Sequence, residues 1–181
     1  MWKKPTDWNS VPESSSFDRP PYGGYVCIIR KVTDLADKQC FEIDFDIAEG
    51  EYKGYALNIM EKFGNWPLSF KKSYKETAYG FLRHFQHVIE RTNNMPEDTW
   101  DGNPQSWVGK GIGIVFSERQ YYGKDGTLKK ALDFNTFCTA AEIRNGEYTI
   151  PEPKLPKDAP QTSYAPTFTE VAASDDGELP F

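Results

Sequence analysis

Residues 40–55 read CFEIDFDIAEGEYKGY, and the first half alternates strictly. Phe41, Ile43, Phe45 and Ile47 fall on one side of an extended chain, with Glu42, Asp44 and Asp46 on the other. Side chains on a strand have period two, so this pattern predicts a half-buried antiparallel strand with a greasy face and a solvated acidic face. Glu49-Gly50-Glu51 is a turn signal, because glycine adopts positive φ without steric cost. Tyr52-Lys53-Gly54-Tyr55 then restarts an aromatic extended segment, making one hairpin that seeds a small β-barrel or sandwich.

Working back from that hairpin, Tyr25–Val32 (YVCIIRKV) reads as a strand that is apolar on both faces at its middle, and therefore central. Residues 1–19 form an arm whose Trp2, Trp8 and Phe17 pin it to the body. Working forward, Ala56–Phe63 fits either a short helix or an extended crossover, and Leu68–Tyr74 an extended segment. Ala78–Thr92 is the principal helix, with Thr77 as N-cap and Ala78, Phe81, Leu82, Phe85, Val88 and Ile89 as its apolar stripe. His84 and His87 lie off that stripe as surface histidines. Gly111–Tyr122 and Thr127–Cys138 form a second hairpin, with Ile112, Ile114 and Phe116 on one strand face and Leu128, Leu132, Phe134 and Cys138 on the other strand's. The pair Gly111 and Gly113 marks a bulge or a tight packing site. Ala140–Ile150 is a short helix or a closing strand.

Several short strands with one helix between the third and fourth describe a mainly β chain, a five-stranded Greek-key barrel of the OB (oligonucleotide/oligosaccharide-binding) type. A β-sandwich with an added helix is the other architecture this order allows. The domain plan is an arm over residues 1–19, a body over 20–153 and a tail over 154–181. Six of the 13 prolines lie at position 151 or later, in a polar stretch that cannot bury enough surface to offset ordering entropy, so the tail is expected to be disordered.

Composition narrows the function. The 181 residues carry a formal charge of -6 and are 15% aromatic, with a mean hydropathy of -0.67. Five acids and no Lys or Arg lie in residues 158–181; without them, 22 acids face 21 bases, so the body is nearly neutral. That argues against a strongly basic nucleic-acid binder while allowing a local basic groove. No run approaches the roughly 18 apolar residues of a membrane span, and the N-terminus lacks the apolar core of a signal peptide. Cys27, Cys40 and Cys138, an odd and widely spaced set, read as free thiols of a reducing cytoplasm. No nucleophile, phosphate-loop or metal motif is present, so no catalytic residue, metal or cofactor is assigned.

Single strands are held by aromatics that stack on bases and cations that follow phosphates. Three sets interleave the two: Arg119, Tyr121, Tyr122, Lys124, Lys129 and Lys130 on the second hairpin; Lys53 with Tyr55; and Phe70, Lys71, Lys72 and Tyr74. The acidic face offers a rival reading, a metal-dependent nuclease using Asp44 and Asp46. The isoelectric point of about 5.0 offers another, an acidic inhibitor that mimics DNA.

The chain ends in Ser-Asp175-Asp176-Gly-Glu178-Leu179-Pro180-Phe181. This tip resembles that of bacterial single-stranded DNA-binding proteins, which implies docking on replication, recombination and repair partners through these residues. It departs from that family at Gly177 and at Glu178-Leu179, where Asp-Ile is common. The segments FEIDFDIAEGEYKGY, Phe81–Ile89 and Gly111–Phe137 resemble phage or mobile-element proteins of Gram-positive bacteria that are suspected of single-strand binding. That second resemblance spans residues 20–153 and implies single-strand binding in a bacterial host cytoplasm. With no catalytic motif on the chain, a non-enzymatic protein is expected, its partners single-stranded DNA and, through the tip, replication, recombination and repair proteins. The sequence leaves the oligomeric state open, a homo-oligomer included.

Overall fold

The alternating face of residues 40–47 becomes the floor of the core: Phe41, Ile43, Phe45 and Ile47 are all buried. In the computed structural model, which describes residues 19–156 together with Lys3 and Thr6, five strands pair antiparallel in one sheet. They are β1 (Gly23–Leu35), β2 (Cys40–Ile47), β3 (Ser69–Ser73), β4 (Gly111–Tyr122) and β5 (Leu128–Cys138). Helix α1 (Tyr55–Phe63) lies between β2 and β3, α2 (Tyr79–Thr92) between β3 and β4, and α3 (Ala140–Asn145) after β5. The protein is mainly β, as the sequence predicts.

The sheet order is β3-β2-β1-β4-β5, which puts the doubly apolar β1 in the centre. Bulges between Ile29 and Lys31 and between Val115 and Ser117 bend the long strands and increase their twist. The sheet curls until its two edges face each other: the rings of Phe70 on β3 and Phe137 on β5 have centroids 5.0 Å apart. No rung joins β3 to β5, so the edges meet through side chains and leave an open seam. Phe45 lies at the centre of the core, with Phe70, Phe116 and Phe134 at 5.5, 6.1 and 5.2 Å between centroids. Each such ring, fully buried, contributes about 1.5–3 kcal/mol. Helix α2 packs against β3, β4 and β5 through Leu82, Phe85 and Ile89, and α3 packs on β1 and β4.

Gly113 is the tight packing site expected of the glycine pair. A Cβ there would lie 2.5 Å from the Cys138 carbonyl oxygen and 2.7 Å from Ile143 Cγ1, so only glycine lets α3 sit this close. A capping box holds the start of α3, with Thr139 accepting from the Glu142 amide and Glu142 accepting from the Thr139 amide. Cys27, Cys40 and Cys138 are free thiols. Among the described residues no helix is long and apolar enough to cross a membrane.

Several local expectations are corrected. Tyr52–Tyr55 does not pair with β2 as a hairpin; the chain turns into α1, and β2 pairs with β1 and β3 instead. The reason lies in Asp46, which is fully buried rather than solvated. Its Oδ1 accepts from the amides of Ile47 at 2.9 Å and Ala56 at 2.8 Å, satisfying an orphan donor at the start of α1. Thr77 does not cap α2, since residues 76–78 form a 3-10 turn and the N-cap is Ala78 without a side-chain bond. Phe81 is 73% exposed, because the buried stripe of α2 runs through Leu82, Phe85, Gln86 and Ile89. Leu128 is exposed at the hairpin end, beyond the reach of the core. The expected tail and its tip residues Asp175, Asp176, Glu178, Leu179, Pro180 and Phe181, like the aromatics Trp2, Trp8 and Phe17 of the arm, lie outside the described residues.

Candidate nucleic-acid interface

The β4–β5 hairpin outruns the body. β1 begins opposite Phe116, so the part of the hairpin from Glu118 onward projects past the central strand. Register pairs Arg119 with Ala131 and Tyr121 with Lys129, and period two then places all four on one face. Arg119 lies over the Tyr121 ring, 5.8 Å from its centroid, and Tyr121 is 41% exposed. On the opposite face Glu118 accepts from Gln120 at 2.7 Å, from Lys130 at 3.0 Å and from the Tyr22 hydroxyl at 3.0 Å. The Gln120 and Lys130 bonds hold its carboxyl below the usual range, and the ion pair offsets the charge of Lys130. Lys129 is paired with Asp125 at 3.2 Å. A short parallel bridge from Lys154 to Arg119 braces the outer edge of β4, and the Lys154 ammonium meets Asp133 at 2.5 Å.

The β3 set divides between inside and outside. Phe70 is 7% exposed, packed in the core at the lining of a cavity between β3 and β5. Lys72, two residues on, shares that inward face and is 9% exposed. Its ammonium lies 4.2 Å from the Phe137 ring centroid and 5.5 Å from that of Phe85. Burial, aided by Lys154, lowers its pKa to about 8. A cation committed to two buried rings is a structural element rather than a phosphate ligand. Lys71 points outward, 3.5 Å from Glu42 on β2. Tyr74 is pinned as well, its ring 4.7 Å from that of Phe41 and its hydroxyl donating to Asp34.

What the fold brings together lies along the open seam. Two adjoining cavities of about 240 and 440 Å³ share Leu132 and Phe134 as floor. The smaller is walled by Arg19, Tyr55 and Pro67, the larger by Glu42, Phe70, Lys71, Arg119, Asp133 and Asn135. Members of all three predicted sets, Tyr55, Lys71 and Arg119, therefore meet across β3 and β5. Arg19 joins them unforeseen from the sequence; nothing marks it there except a cation ahead of Pro20-Pro21. The exposed Lys53 and Lys124 and the half-exposed Tyr122 do not line this seam.

The acidic face is divided in the same way. Asp46 caps α1 inside the protein, whereas Asp44 is half-buried, and burial raises its carboxyl pKa despite the nearby Lys31. Among the described residues no three His, Cys, Asp or Glu side chains converge as metal ligands. No protein-family model matches the chain, and no curated protein matches it.

Proposed function

We propose that this chain is a non-enzymatic single-stranded DNA-binding protein of the phage or mobile-element type, acting in a bacterial cytoplasm. The observation that carries the reading is the convergence of Arg19, Lys71 and Arg119 around an apolar floor, with Tyr55 inside the seam and Tyr121 beside it. Bases stack on aromatic faces and phosphates follow cations, so a groove of this make-up holds a single strand with little regard to sequence. A duplex has its base faces already stacked and gains only from the cations. The commitment of Asp46 to the start of α1 favours this reading over a nuclease that would need both Asp44 and Asp46 at a metal. The C-terminal tip adds a second role, recruitment of replication, recombination or repair proteins. Leu179 and Phe181 would fill an apolar pocket on the partner while Asp175, Asp176 and Glu178 meet basic residues at its rim.

The test is oligonucleotide binding by variants on the exposed walls. Arg119→Glu with Lys71→Glu should weaken single-strand affinity by at least about tenfold, and Tyr121→Ala by about tenfold, since stacking is worth roughly 1–3 kcal/mol per base. Unchanged affinity in the charge-reversed protein would remove the seam from the interface. Deleting residues 174–181 should leave DNA binding equal or slightly tighter and abolish partner capture.

A further inference from the structure

Above β1 and β2, beside the C-terminal end of α1, lies a third cavity of about 470 Å³, within the size range of small-ligand sites. Its walls include Arg30, Lys31, Asp44, Met60 and Trp66. The β1 bulge creates it. Ile29 and Val32 are both buried, so the extra residue leaves Arg30 and Lys31 side by side on the outer face, where regular alternation would bury one of them. Neither cation makes an ion pair among the described residues. Lys31 faces Asp44 in the β1–β2 register, and Asp44 faces Ser69 on β3. Trp66 is fixed from behind: its Nε1–H donates to the carbonyls of Phe45 at 3.1 Å and Leu68 at 2.9 Å. With that donor used, the ring offers a ligand only its π surface, already immobilised, so stacking on it costs little further entropy.

An aromatic face, a thioether, two cations and one carboxylate match the parts of a nucleotide. We propose that this cavity is a base-reading subsite for one nucleotide of a bound single strand, selective for bases that carry an exocyclic amine. The base lies against Trp66 and Met60, Arg30 and Lys31 hold the flanking phosphates, and the Asp44 carboxylate accepts from the amine. Cytosine N4 is such a donor; thymine presents a carbonyl there, which a carboxylate repels. The inference rests on the single-strand reading above and adds a preference to a protein otherwise tolerant of sequence.

The experiment compares labelled oligo(dC) and oligo(dT) of equal length, by anisotropy, on the full chain and on Asp44→Val. Oligo(dC) should bind about tenfold tighter than oligo(dT), the worth of one charge-assisted hydrogen bond at the low end of its range, and Asp44→Val should bring the ratio near one. Photocrosslinking of an iodocytosine oligonucleotide followed by peptide mapping should label Trp66, a readout that requires no mutation. Binding of both homopolymers with no cytosine preference, or a preference that survives Asp44→Val, overturns the subsite and leaves the single-strand reading intact. Crosslinks confined to the β3–β5 seam do the same. Failure to bind either homopolymer overturns both.

Discussion

Replacing Lys72 by Met tests whether that lysine belongs to the core or to the interface. Lys72 is 9% exposed and its ammonium lies over Phe137 and Phe85. In the folded protein its pKa is about 8, against an ordinary lysine value of 10.5. A depressed lysine pKa means that the fold disfavours the charged form. Below pH 8 both states are protonated and the folded protein bears the whole cost. Between pH 8 and 10.5 the unfolded chain binds more protons, so this group makes stability rise with pH; above 10.5 the cost is gone. At 1.36 kcal/mol per pH unit the cost is at most about 3 kcal/mol, and cation–π attraction of about 1 kcal/mol offsets part of it. Met keeps a linear apolar stem in the same space. Lys72→Met should therefore stabilise the protein by about 1–2 kcal/mol at pH 7, and the gain should shrink towards zero by pH 10. Urea unfolding at pH 7, 8.5 and 10 measures both, and oligonucleotide affinity should be unchanged. A variant that folds as well as or better than the wild type but loses tenfold in affinity would show that Lys72 contacts phosphate. A variant destabilised at pH 7 would refute the electrostatic argument itself.

Two further substitutions probe how the local structure is held. Asp46→Ala leaves the amides of Ile47 and Ala56 without an acceptor and should cost about 2–4 kcal/mol in urea unfolding, with early hydrogen exchange in α1. A loss under 0.5 kcal/mol would mean that water replaces the carboxylate. Gly113→Ala places a Cβ against the Cys138 carbonyl and Ile143, and should cost about 1–3 kcal/mol by displacing α3; unchanged stability would show that α3 is loosely docked.

Elements whose pattern is local were legible in the sequence. The period-two run Phe41–Ile47, the doubly apolar Tyr25–Val32 and the β4–β5 hairpin could be read directly, because burial on one or both faces writes itself into neighbouring residues. Features decided by a distant partner could not. Tyr52–Tyr55 resembles a strand, and only the carboxylate of Asp46 and Gly54 at φ 75° turn it into a helix start. Phe70-Lys71-Lys72 shows how one orientation fixes three fates. Once Phe70 points to the core, Lys72 must follow it and Lys71 must face out, but the sequence does not say which way Phe70 points. Pairing of Lys130 with Glu118 depends on register, so the count of available cations could not be taken from the residues alone. The β1 bulge, which turns Arg30 and Lys31 to one side, leaves no mark in the sequence either.

The most direct measurement is an anisotropy titration of one labelled strand, alone and annealed to its complement, across several salt concentrations. With Arg19, Lys71 and Arg119 as the phosphate contacts of the seam, log affinity for the single strand should fall with log salt at a slope of about -2. Stacking should keep the single strand at least about tenfold tighter than the duplex throughout. Equal affinity for the two forms, or no binding to either at low salt, would contradict the account.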